Sequence, residues 1–117
     1  MIWIILNLIA EIIKWIVSPI FYVYGSIIAI KHKEWKDYNK QLALVKDQYG
    51  NVLLRYPLNK WFIKPDGYKF GRRKETLSSV FGKNEQMGTE RFLGRITRIL
   101  LNLAEKNHCL KSIDNNV

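Results

Sequence analysis

The chain has 117 residues, 48% of them hydrophobic and 13% aromatic, and a formal net charge of +9. That composition excludes a disordered chain, and a single cysteine excludes an intrachain disulfide framework and suits a reducing compartment. Residues 1–30 carry only Glu11 and Lys14, so the other 18 bases and 9 acids all lie in residues 31–117. An excess of this kind attracts nucleic acid, acidic lipid headgroups or an acidic protein; plain solubility is the other reading.

Residues 1–30 come first. The uncharged runs Met1–Ala10 and Trp15–Ile30 flank Glu11 and Lys14. A spanning helix needs about 20 apolar residues, and thirty residues at 1.5 Å each cover roughly 45 Å. Glu11 and Lys14 can meet at i, i+3. With Asn7 and Ser18 they form a thin polar stripe that lipid would penalise, which hints at self-association through this helix. Pro19 predicts a kink in one long transmembrane helix; the alternative is an interfacial amphipathic helix over 2–17 with 20–30 dipping into the bilayer. A cleaved signal peptide fits less well, because a basic start and a small-x-small cleavage site are missing. A core helix of a soluble assembly is the remaining reading.

Residues 31–40 form a basic juxtamembrane segment. Lys31, Lys33 and Lys36, with Trp35 as an aromatic anchor, mark a membrane interface. Bases after the apolar run and none before it place the carboxy-terminal side in the cytoplasm.

Residues 41–113 read as a small basic α+β domain. Leu42–Val45 and Val52–Tyr56 are short β-prone runs, joined by a segment containing Asp47, Gly50 and Asn51. That pattern predicts a β-hairpin, with Pro57 ending its second strand. Leu58, Trp61 and Phe62 share a helical face, and Pro65-Asp66-Gly67 signals a turn. The bases Arg72-Arg73-Lys74 precede a short helix expected to stop at Gly82. No phosphate-binding glycine loop and no nucleophile elbow occur here. A last helix is expected over about 90–105 with Thr89 as N-cap. Its apolar face (Phe92, Ile96, Ile99, Leu100, Leu103) should meet the core, and Arg91, Arg95 and Arg98 should form the solvent face. Residues 114–117 read as a frayed tail.

The soft metal ligands are His32, His108 and Cys109, whose spacing suits no zinc site, so neither metal nor cofactor is expected. The candidate anion- or phosphate-binding set is Arg72, Arg73, Lys74, Arg91, Arg95 and Arg98.

Asp66–Gly71, Glu75–Ser79, Gly82-Lys83-Asn84 and His108–Ile113 together resemble a family of small proteins of tailed bacteriophages and prophages. The likeness covers roughly residues 46–113. The family pattern usually has an acidic residue or proline within the positions held here by Arg72-Arg73-Lys74. The resemblance implies a phage setting and no particular chemistry.

The combined expectation is a non-enzymatic accessory protein anchored in a host inner membrane, its basic domain engaging anionic lipid or an acidic partner. Lysis, superinfection exclusion and a membrane-bearing virion all suit that description. A membrane-tethered nucleic-acid binder, with Tyr68 and Phe70 stacking on bases, is the first alternative. A small hydrolase-like enzyme using Glu75 and Ser78 or Ser79 with His108 is the second.

Overall fold

A computed structural model describes residues 1–116 and divides the chain into two compact units, Met1–Gln41 and Leu42–Val117. Six helices account for the regular structure: α1 (Ile2–Lys31), α2 (Trp35–Leu53), α3 (Arg55–Trp61), α4 (Leu77–Met87), α5 (Phe92–Leu101) and α6 (His108–Lys111). Among the described residues there is no strand, only one isolated antiparallel bridge between Ile63 and Glu90. The fold is all-helical, which overturns the α+β expectation.

In the first unit, α1 runs unbroken through Pro19. It is long and apolar enough to cross a membrane. Lys14 and Glu11 pair at 2.9 Å on its surface. The helix closes on Glu34 N donating to Ala29 O, with Lys33 in the left-handed region at φ 60°. The last turns of α1 then meet the first turns of α2. Tyr22 stacks on Tyr38 and donates its hydroxyl to Asn39 Oδ1. Gly25 is needed at this crossing, since a Cβ there would meet the Tyr38 hydroxyl. Ser26 and Ala29 are buried beside it. Every large apolar residue from Ile2 to Phe21 stays exposed except Val17, which is half-buried.

The expected hairpin is the body of α2. Leu, Ala, Lys and Gln are good helix formers, and the turn-like pair Gly50-Asn51 is used for packing. Leu77 Cδ1 occupies the space a Cβ on Gly50 would take. Asn51 is fully buried and reaches across to the segment before α4. Pro57 does not end a strand; it sits in the first turn of α3, where its missing N–H costs nothing.

α4 is the central element of the second unit, buried from Ser78 to Asn84. Thr76 caps it by accepting from Ser79 N, and it ends at Gly88 (φ 68°), not at Gly82. Gly82 lies mid-helix because the Cys109 carbonyl packs directly on it. Thr89 does not cap α5. Its hydroxyl donates to Asn84 Oδ1 at 2.6 Å, and Arg91 takes the N-cap position. The core is Leu58, Ile63, Phe70, Val80, Phe81 and Cys109, with Phe70 edge-on to Phe81 at 4.9 Å.

Candidate functional site

The segment between α3 and α4 has no regular structure, so its backbone groups need side-chain partners. Three asparagines supply them. Asn59 brackets Phe70, accepting from its N–H and donating to its carbonyl. Asn51 accepts from Gly71 N and donates to the carbonyls of Arg72 and Glu75. Asn84 accepts from Tyr68 N and donates to the carbonyls of Tyr68 and Val80. The amide side chain suits this role because it donates and accepts in one plane.

That clamped segment delivers Glu75 into the interior, 1% exposed. Glu75 Oε2 accepts from Ser79 Oγ at 2.7 Å and pairs with Lys83 Nζ at 2.6 Å. Oε1 accepts from the Tyr68 hydroxyl at 2.9 Å. Ser79 and Lys83 share one face of α4 at i, i+4, and Glu75, just before the N-cap Thr76, turns back onto that face. Burial works against the Lys83 charge, but hydrogen bonds to Glu75 and Tyr68 outweigh it, so its pKa is raised. The Lys83 ammonium and the Arg72 guanidinium both lie over the Tyr68 ring, at 4.2 and 5.4 Å. These side chains, with Gln86, Met87 and Asn115, line an open cavity of about 360 Å³.

The hydroxyls near the cluster have structural partners. Ser79 donates to Glu75 and accepts from Asp114 N, leaving its hydroxyl fully engaged. Ser78 donates to Asp47 Oδ2 at 2.8 Å. His108 pairs with Glu105 on the surface and makes no hydrogen bond to Glu75, Ser78 or Ser79. Burial pushes the Cys109 thiol up to about 12, far from a reactive thiolate. No group of three His, Cys, Asp or Glu able to hold a metal occurs among the described residues.

The other feature is α5, which faces opposite to expectation. Gly94 is buried and fits only because the Phe62 carbonyl packs where a Cβ would be. Arg98 is directed inward, with Nε and Nη2 on Glu90 at 2.8 and 2.9 Å and Nη1 on Glu85 at 2.6 Å. Those hydrogen bonds raise its pKa against the opposing effect of burial. Leu101 packs against the core from the same side. The apolar face therefore points outward: Phe92, Ile96, Ile99 and Leu100 are exposed, Phe92 by 72%, and Leu103, in the turn beyond the end of the helix at Leu101, by 77%.

No protein-family model matches this chain, and no curated protein or solved structure is significantly similar to it.

The candidate bases are thus divided by the fold. Arg98 is an interior ion-pair residue, and Arg91 donates from Nε to Ile63 O. Arg95 is exposed, with Glu90 4.0 Å away. Arg72, Arg73 and Lys74 are exposed on the clamped segment. Lys31, Lys33, Trp35 and Lys36 lie exposed at the α1–α2 junction. Phe70 is a core residue, and the half-buried Tyr68 ring has the Lys83 ammonium and the Arg72 guanidinium over it. Asp47, Asn51, Asn59, Lys83 and Asn84 carry much of the architecture; the sequence suggests a turn for Asp47 and Asn51 and a motif for Lys83 and Asn84, and gives no role to Asn59. The i, i+4 spacing of Glu75, Ser79 and Lys83 is the one sequence signal that could have pointed to the cluster.

Proposed function

We propose that this is a membrane-anchored, non-enzymatic protein whose basic domain works at the cytoplasmic face of a host inner membrane. The observation that carries the reading is α1, whose most apolar 18-residue window has none of its residues buried. Exposed apolar side chains along such a length are costly in water and satisfied in lipid. Ile2–Phe21 supplies about 20 residues, or roughly 30 Å, which matches a hydrocarbon core. Tyr22, Tyr24, Trp35 and Tyr38 then fall at the interface, where aromatic rings are favoured. Lys31, Lys33 and Lys36 follow immediately, on the side that the positive-inside rule assigns to the cytoplasm.

In this reading the exposed bases Arg72, Arg73, Lys74 and Arg95 draw the domain toward anionic headgroups, each worth about 1 kcal/mol near the surface. The likeness to small phage proteins supplies the setting, an accessory role during infection. Carbonate extraction of membranes from expressing cells, with protease treatment of spheroplasts, tests the anchor and its orientation. The expected result is a protein that stays in the membrane pellet with its carboxy terminus shielded from external protease. Release by carbonate would overturn the anchor, and cleavage in intact spheroplasts would overturn the orientation.

A further inference from the structure

We infer that α5 and the turn after it form a second membrane contact, lying in the headgroup region of an anionic bilayer with Phe92, Ile96, Ile99, Leu100 and Leu103 inserted. This rests on the anchored reading above and adds the surface that meets the lipid.

The orientation of α5 is set from inside the domain. Gly94 must face the Phe62 carbonyl, and Arg98 must face Glu85 and Glu90. Rotating the helix to bury its apolar stripe would break three ion-pair contacts and drive side chains into backbone. With the inner face committed, five large apolar residues are left outside on one stripe. At about 100° per residue, the exposed Phe92, Leu93, Ile96, Ile99 and Leu100 fall within roughly a third of the helix circumference, and exposed Leu103 follows in the turn just beyond α5. α3 packs against α5 and adds exposed Trp61, with the Lys60 ammonium 5.3 Å from its ring centre.

Charge identifies the occupant. Exposed Arg95 follows one margin of the stripe, with Glu90 4.0 Å away, exposed Arg91 stands at the N-cap, and no acid lies within Phe92–Leu101. An apolar stripe edged by arginines is the pattern of an interfacial helix, whose apolar side sits about 5–10 Å into the headgroup and acyl boundary. The chain's own anchor keeps such a surface at high effective concentration near lipid. Docking therefore needs only modest intrinsic affinity.

The test uses the full-length protein reconstituted in phosphatidylcholine vesicles, with and without phosphatidylglycerol. An environment-sensitive dye is placed at I99C, L103C or, as a control on the clamped loop, D66C. Cys109 is fully buried, so the unsubstituted chain provides the unlabelled background. The expected result is several-fold greater quenching by lipid-borne nitroxide at positions 99 and 103 than at 66, and more in the phosphatidylglycerol vesicles. If the protein floats with the vesicles but all three dyes are equally open to aqueous iodide, docking is overturned while the anchor stands. If the protein fails to float, both readings fall. If positions 99 and 103 are shielded from nitroxide and iodide alike, and the shielding fades on dilution with excess lipid, a second copy covers α5 and docking is overturned.

Discussion

Lys83 Nζ lies 2.6 Å from Glu75 Oε2, and the carboxylate has no exposed side-chain surface at all. A charge buried to that degree is tolerated only because its partner and the hydroxyls of Tyr68 and Ser79 replace water. Lys83→Met removes the partner and leaves the charge. The loss expected is about 3–5 kcal/mol, read as a lowered urea midpoint in detergent by far-ultraviolet circular dichroism. Combining it with Glu75→Gln should recover most of that loss, because the amide still bonds to Tyr68 and Ser79. Strict additivity of the two substitutions would show that the pair is not coupled.

The arginines of α5 should behave as two different kinds of residue. Arg98→Leu strips Glu85 and Glu90 of their shared partner, and a cost of about 3 kcal/mol follows. Arg95→Gln, with its side chain 61% exposed, should leave stability within about 0.5 kcal/mol. Equal effects in thermal unfolding would contradict the inward orientation of α5, and with it the outward apolar face.

This division was the least legible part of the chain. Periodicity finds an amphipathic helix near 90–105 but does not say which face turns inward. The usual assignment of the apolar face to the core failed because Gly94 and Arg98 had stronger local partners. Gly50-Asn51 and Gly82 misled for a related reason. Glycine and asparagine are turn residues by propensity, yet here the glycines give room for Leu77 and for the Cys109 carbonyl, and the asparagine clamps a loop. What was legible rested on local chemistry. The exposed apolar run of α1 needs no tertiary knowledge, and Thr76 before a helix is a cap by its own side chain. The Glu75 cluster leaves an i, i+4 trace of Glu75, Ser79 and Lys83 that was not read, and Tyr68 and the asparagine clamps that complete it are long-range.

Two glycines of α4 separate crowding from backbone strain. A Cβ at Gly82 would collide with the backbone of Cys109, so Gly82→Ala must push α6 away from α4. A loss of about 3 kcal/mol or more, or failure to fold, is expected. At Gly88 the space is open but φ is 68°, so Gly88→Ala should cost only about 1–2 kcal/mol. Amide hydrogen exchange distinguishes them: the first should expose α6 and the Asp114 N–H held by Ser79, and the second should fray only the end of α4. The reverse order of effects would mean that α6 is not seated on Gly82.

Alkaline pH should weaken the domain in two steps. In the unfolded chain the Cys109 thiol ionises near its ordinary 9.0, whereas burial pushes it to about 12 in the fold. Between those values the unfolded chain has released a proton that the folded chain keeps, so stability falls as pH rises. Lys83 acts in the same direction: its raised pKa gives a contribution fully present below 10.5 and lost as pH climbs through the folded value. Urea midpoints measured across this range should therefore decline from about pH 9 and more steeply above 10.5. In Cys109→Ala the first decline should flatten while the second remains, although the cavity lowers stability at every pH. A first decline unchanged by that substitution would place the titrating group elsewhere. Thiol reagents at neutral pH offer an independent check, since Cys109 should react only at the rate at which α6 leaves α4.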